Sequence, residues 1–397
     1  MSSTVSLNQE WLEADGLGGF ASGTATGVRT RRYHALLLTA TTPPTGRMVL
    51  VNGFDAWVET KGGRLDLSSQ CYAPDVIGGE GTQHIESFSW DPWPKWVFRF
   101  TDGTRVQQEI FVVKDEPVTC VSWKLLEPGT GATLFVRPFL SGRDYHALHK
   151  SNPAFRFDAE VAPGRVAWQP YPDVPGTVAL SNGNYRHEPL WYYNFLYEAE
   201  RARGLDCEED LGAPGVFDWH LDAGEAVLIL ATQAQAARLP AGIEPAALLS
   251  RFRASEQEHR QKFPSRLHAA ADAYVVQRQS STAPAGRTII AGYPWFADWG
   301  RDTFISLRGL CLAGGRPDVA RDILIAWAGS VSEGMLPNRF PDQGDQPEYN
   351  SVDASLWFVI AVGEFLKTGA ALPADTQALC AAVDAIRGVA CVETLRT

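Results

Sequence analysis

The feature that most constrains this chain is a change of hydrophobic period near Leu239. Before that point, short alternating or β-branched runs recur between turn residues; after it, apolar residues return at helical spacing. Strands and helices segregated in this way predict a β domain followed by an all-α one, not an alternating α/β fold. The β runs include Arg47–Val51, Lys95–Phe100, Arg105–Val113, Val118–Leu126, Ala132–Phe139 and Ala154–Glu160. Glycine and proline separate them, as at Lys61-Gly62-Gly63, Asp102-Gly103, Pro128-Gly129, Pro163-Gly164 and Asn182-Gly183. Many short strands with few helical stretches argue for an antiparallel sandwich over residues 1–235.

Residues 236–280 read as a helical linker, with helical stretches at Pro245–Phe263 and Leu267–Arg278. A loop from Ser280 to Trp299 follows, then helical patterns over Asp302–Leu312, Pro317–Val331, Val352–Lys367 and Asp375–Gly388. Pro317 suits a first helical turn, Asp375 an N-cap and Gly388 a C-terminal stop. The loops between these helices are long and aromatic-rich, and loops of that length in a compact domain are usually functional.

Several function classes are disfavoured by composition. With 46 acidic against 35 basic residues, the net charge of −11 does not favour a phosphate-binding groove, so no nucleic-acid partner is expected. The polar segment Met1–Glu10 lacks a basic n-region and an apolar h-region, and no run of 18 apolar residues occurs. Cys71, Cys120, Cys207, Cys311, Cys380 and Cys391 form no CxxC pair and are scattered. These signs predict a cytoplasmic protein with reduced thiols and no membrane span. Eight histidines give no metal-binding spacing, and no cofactor is expected.

The GxGxxA match at Gly16–Ala21 lacks the preceding strand and following helix of a dinucleotide site, so a glycine-rich loop at a sheet edge is expected. Arg29-Thr-Arg31-Arg32-Tyr33-His34 is a basic cluster. It reads as a solvated or interface patch, or as part of an anionic or sugar site.

Two segments carry chemistry. Gly292-Tyr-Pro-Trp-Phe-Ala-Asp-Trp-Gly-Arg-Asp302 sets aromatic rings beside Asp298, Arg301 and Asp302. An Arg–Asp pair next to indole can hold vicinal hydroxyls, because carboxylate accepts, guanidinium donates and the ring covers the sugar face. Acidic residues also suit a first helical turn, so Asp302 could instead cap. The second segment is Leu336-Pro-Asn-Arg-Phe followed by Glu348-Tyr-Asn-Ser-Val-Asp353-Ala-Ser-Leu-Trp357. Asp353 starts an apolar helix, with Ser351 as a candidate N-cap. Desolvation by Tyr349 and Trp357 would raise its pKa toward what a general acid needs.

Gly18-Gly-Phe-Ala-Ser-Gly23, Arg29–His34, Gly292-Tyr-Pro-Trp-Phe, Trp299-Gly-Arg-Asp-Thr-Phe304 and Tyr349–Trp357 run in order along the chain. In these pieces the sequence resembles the bacterial and archaeal glycogen-debranching family with amylo-α-1,6-glucosidase activity. The resemblance implies an N-terminal antiparallel β-sandwich followed by an (α/α)6 toroid of the six-hairpin glycosidase kind. It implies a glycogen or α-glucan substrate, with Tyr293, Trp295, Trp299, Arg301, Asp302, Asn338, Tyr349 and Asn350 binding sugar. Asp353 is then the general acid of an inverting hydrolysis.

Twelve helices of about 11–12 residues with loops of about 4–6 need roughly 200 residues. Leu267–Thr397 shows about five helical stretches, so 281–397 is expected to hold only the N-terminal part of the barrel. The expected general base has no counterpart here, since neither Glu364 nor Glu393 has aromatic surroundings. The chain therefore reads as truncated, with the base in a missing C-terminal part. An unclosed barrel exposes apolar helix faces, which predicts a C-terminal half or a second copy as partner. Two alternatives stay open: a glucoamylase-like exo-α-1,4-glucan glucohydrolase, and a non-catalytic glucan-binding fragment.

Overall fold

A computed structural model describes residues 5–127, 129–240, 242–279, 286–339 and 347–394, with side chains up to residue 388. The chain divides into two compact units. The first comprises Met1–Asp15, Gly19–Thr39 and Met48–Lys262, and the second Gly16–Gly18, Ala40–Arg47 and Phe263–Thr397. The boundary at Lys262 falls inside the 236–280 stretch.

Two antiparallel sheets build the β unit. One runs Glu10–Ala14, Phe20–Thr24, Ala35–Thr42, Thr45–Thr60, Thr133–Asp144, Glu208–His220, Asn184–Leu196, Gln70–Tyr72 and Val76–Gly78, with Gly63–Asp66 also on Thr45–Thr60. The other runs Ala159–Ala162, Arg165–Trp168, Thr177–Ser181, Ala226–Thr232, Val118–Leu125, Arg105–Val112, Lys95–Arg99 and Ile85–Ser89. Side chains of both sheets share one core, with Leu36, Val51, Val136 and Phe217 meeting Trp96, Ile110, Val121 and Leu228. The expected segregation of strands and helices is therefore present.

Ala226–Thr232 shows how the period of two serves two cores. Leu228 and Leu230 enter the inter-sheet core, while Val227, Ile229 and Ala231 face a second cluster with Leu248, Leu249 and Phe252 of the helix Pro245–Gln261. A strand buried on both faces carries no polar–apolar alternation. Pro245–Gln261 is thereby packed against the β unit. The strand expected at Ala154–Glu160 begins later, at Ala159–Ala162. The glycine-rich segment joins Glu10–Ala14 to Phe20–Thr24, the edge strand of the first sheet and its neighbour, as a sheet-edge loop.

A buried ionic node lies among these strands. Glu209 accepts from Arg143, from the Tyr197 hydroxyl and from the His149 backbone N–H, and the Arg143 and Glu209 side chains are 4% and 0% exposed.

In the helical unit the core gathers Phe304, Trp327, Phe358, Phe365, Leu379 and Ile386. Its elements are Arg266–Tyr274, Val275–Arg278, Gly286–Ile289, Gly300–Leu307, Arg308–Ala313, Pro317–Ala328, Asp353–Lys367 and Pro373–Thr394. The helix expected over Leu267–Arg278 stops at Tyr274, because the buried pair Val275 and Val276 starts a strand that pairs with Gly286–Ile289. The helix expected from Asp302 starts earlier, at Gly300, and Arg308–Ala313 is a π-helical segment. Asp375 is not an N-cap; it lies in the first turn and its carboxylate takes two bonds from Arg321, at 2.6 and 2.8 Å. Gly388 is no stop, since the helix runs on to Thr394. Pro317 does stand in a first helical turn.

Candidate functional site

The site is built where three extended segments meet the starts of two helices. Gly286–Ile289 leads into a turn in which Phe296 N–H donates to Gly292 O at 2.8 Å, across a cis Tyr293–Pro294 bond. The chain then presents Trp299, which precedes Gly300–Leu307. Trp299 bridges Arg339, and Arg339 in turn bridges Glu348. The ladder is closed by Gly300 N–H on Asn338 O at 2.8 Å, Asn338 N–H on Glu348 O at 2.7 Å and Glu348 N–H on Arg339 O at 3.1 Å. Residues near 299, 338 and 348 are thereby held side by side.

The helices Gly300–Leu307 and Asp353–Lys367 pack closely, with Phe304 and Phe358 rings 5.2 Å apart. This brings together the charged residues at their N-termini. Arg301 lies 3.6 Å from Asp302 Oδ2 and 3.5 Å from Asp353 Oδ2. All three side chains remain partly exposed, at 51%, 36% and 43%. Asp302 lies in a first turn but makes no side-chain cap. Its open carboxylate and the Arg301 fork form the acceptor–donor pair that vicinal hydroxyls require.

Asp353 differs from its expected state. Ser351 does not cap the helix; its hydroxyl donates to Asp353 Oδ1. That bond holds the carboxyl below the usual carboxylate range, opposed by partial burial and helped by the Ala354 N–H and by Arg301. The expected rise through desolvation is therefore absent, because the carboxyl is only half-buried and faces three donors.

The remaining candidates divide. Asn350 reaches Glu348 Oε2 at 3.5 Å, and the Tyr349 hydroxyl donates to Ser330 O at 3.1 Å. Asn338 belongs through its backbone. Tyr293 packs instead on Tyr274, with ring centroids 5.6 Å apart, and under Arg47 at 5.6 Å. Asp298 is fully buried and pairs with Arg278 at 2.8 Å, so it acts inside the core. Glu364 is paired with Arg308 at 2.6 Å, and the Glu393 side chain lies outside the described residues. Sequence reasoning missed Arg339 and Glu348 as partners of Trp299. Both stand in the quoted motifs, but nothing local signals that they meet.

The basic cluster of the β unit is structural in character. Arg29 is buried, donates to Gln70 at 2.8 Å and lies 5.3 and 5.0 Å from the Phe139 and Phe195 ring centroids. Arg31 pairs with Glu10 at 2.7 Å, and Arg32 donates to the His146 and Asp206 carbonyls at 2.6 and 2.7 Å. His34 is buried and accepts from the Thr30 N–H at 3.1 Å.

Comparison with known proteins agrees with this division into two parts. The family described as "Glycogen debranching enzyme N terminal" matches residues 9–228, more than half of the chain, and "Amylo-alpha-1,6-glucosidase" matches residues 269–387. The chain belongs to the glycogen debranching enzyme family. A glycogen debranching enzyme of Saccharomyces cerevisiae is 40% identical over 84 residues, which is 20% of this chain. The match spans only 5% of the length of the yeast protein. Among solved structures, a bacterial glucoamylase complexed with acarbose aligns with 92% of this chain and 58% of that one, at 13% identity and a TM-score of 0.44. A heparan sulfate lyase of Pedobacter heparinus aligns with 51% of this chain and 24% of that one, at 14% identity and a TM-score of 0.22. Among the described residues, no helix is long and apolar enough to cross a membrane.

Proposed function

We propose that the helical unit is the sugar-binding and acid-bearing part of a glycoside hydrolase that removes α-1,6-linked glucose from glycogen or limit dextrin. The observation that carries the reading is Arg301 set between Asp302 and Asp353, next to Trp299, in the stretch matched by the amylo-α-1,6-glucosidase family. Arg301 and Asp302 bind vicinal hydroxyls of the terminal glucose, and the Trp299 indole covers a ring face. Asp353 protonates the glycosidic oxygen as its bond to the anomeric carbon breaks.

Asp353 must gain a proton to do this. Sugar hydroxyls that engage Arg301 draw it from Asp353, and the bound sugar expels water from the half-buried carboxyl. Both changes favour the protonated form. A second carboxylate, to which we assign no residue of this chain, takes a proton from water on the opposite ring face and inverts the anomeric centre. Such pairs stand about 6.5–9.5 Å apart. In this reading 281–397 belongs to an (α/α)6 toroid, 236–280 links it to the 1–235 sandwich, and the protein works in the cytoplasm without a cofactor.

The test is glucose release from phosphorylase-treated limit dextrin by the chain and by Asp353→Asn. Where the second carboxylate is supplied, the expected outcome is release with the parent and loss with the variant, with substrate binding retained. Faster turnover of maltose than of isomaltose would favour the exo-α-1,4 alternative. The lowered pKa of Asp353 favours a second reading, a glucan-binding role without turnover. Saturable binding with no glucose released by either form would select it.

A further inference from the structure

Trp299 is held by more than its own backbone. The Arg339 guanidinium lies over its indole at 5.4 Å, and the Phe296 ring stands at 87° to it, 6.1 Å away. Arg339 is itself fixed by two bonds to Glu348, Nε to Oε2 at 3.0 Å and Nη2 to Oε1 at 2.8 Å. Glu348 is anchored on both sides by backbone bonds to Asn338 and Arg339, and Asn350 Nδ2 approaches Oε2 at 3.5 Å. The Arg339 bonds hold the Glu348 carboxyl below its usual range, so the pair is charged on both sides at neutral pH.

Such a pair is a poor device for stability. Its side chains are 40% and 35% exposed, and exposed ion pairs contribute little to folding. It is a good device for geometry. A planar guanidinium gripped by both carboxylate oxygens has one orientation, and here it lies over an indole.

We propose that Arg339 and Glu348 are positioning residues, a clamp that presets the Trp299 ring and leaves its other face for a glucose ring. The inference rests on the sugar-binding reading of Trp299. It adds two residues to the site, neither of which touches the scissile bond. Lysine cannot replace Arg339 in this role, because an ammonium offers neither the fork nor the plane.

Fluorine NMR of the full chain labelled with fluorotryptophan gives a readout that a merely structural role would not move. The Trp299 resonance is assigned by its loss in Trp299→Phe. Arg339→Lys and Glu348→Gln are then compared with the parent for that resonance, for thermal midpoint and for half-saturation by isomaltose. The clamp predicts that both variants shift or broaden the Trp299 line while the midpoint stays close to the parent's. It also predicts that half-saturation rises by about tenfold, because the indole is no longer held against the ring it covers. Where the chain turns over, KM moves and kcat holds.

An unchanged Trp299 line in both variants overturns the clamp, and so does a parental line with Arg339→Lys. A parent that binds no isomaltose overturns the sugar reading alone, and the Trp299 line still decides the clamp. A moved line with unchanged isomaltose binding refutes the role in sugar binding.

Discussion

Replacing Gly300 with alanine sets two opposing effects against each other. Gly300 opens the helix Gly300–Leu307, and its φ is not in the left-handed region. Alanine in a helix is worth about 0.5–1 kcal/mol over glycine, so propensity alone predicts a more stable protein. Space predicts the reverse. A Cβ at this position would stand 2.7 Å from Pro337 O, 3.0 Å from Ala354 Cβ and 3.4 Å from Trp327 Cζ3. The first is backbone and the second belongs to the facing helix, so neither yields by a rotamer change. Forced contacts of this kind cost about 1–3 kcal/mol, which outweighs the propensity gain. The expected net is a loss of about 1–2 kcal/mol, or roughly 3–10 °C in the midpoint of a unit this size.

Gly363 supplies the control. It lies inside Asp353–Lys367, a Cβ there meets nothing within 4 Å, and its φ is not left-handed. Gly363→Ala is expected to gain about 0.5–1 kcal/mol. Denaturant melts of the two variants, followed by helical circular dichroism, check the pair. Equal shifts of one sign, or a Gly300→Ala protein as stable as the parent, would refute the claim that the two helix starts are in hard contact.

The β unit carries two further expectations. Glu209→Gln leaves the Arg143 charge buried without its counter-charge and should cost about 3–5 kcal/mol in denaturant melts. A loss under about 1 kcal/mol would mean that water reaches the pair. His34 is pushed down to about 3, chiefly by burial and then by the Arg31 and Arg29 charges. The unfolded imidazole titrates near 6.5, so between these values the unfolded state binds more protons and stability rises with pH. The contribution is complete above about pH 6.5 and is lost as pH falls toward 3. Nitrogen NMR of His34 should show a neutral ring at pH 5; a protonated ring would contradict its burial.

The helices were the more legible half. Pro317–Ala328 and Asp353–Lys367 each bury one stripe, and the 3.6-residue period shows in the sequence. The strands were legible as alternating or β-branched runs between turn residues, and Val118–Leu125 was among them although both of its faces are buried. Ala226–Thr232 is buried throughout and gives no alternation. Val275–Arg278 continues a helical pattern until its partner Gly286–Ile289 is known, and strand pairing is not local information.

The same distinction explains the site. Trp299, Arg301 and Asp302 were legible as candidates because they fall within one short motif and are chemically unusual together. Asp353 was legible as a helix-start acid, but its charge state was not. Burial was expected to raise its pKa, whereas Ser351, two residues away, supplies the bond that lowers it. A residue two places before a helix start can cap the backbone or bond a neighbouring carboxylate, and only the rotamer decides. Arg339 and Glu348 were least legible of all. Their pairing depends on a backbone ladder joining residues 299, 339 and 348, which no spacing rule encodes. The acid of the proposed reaction is therefore not tuned in advance. In the proposed reaction Asp353 takes its proton from solvent, as the bound sugar draws Arg301 away and expels water. In the proposed clamp, by contrast, Arg339 sets the Trp299 ring beforehand.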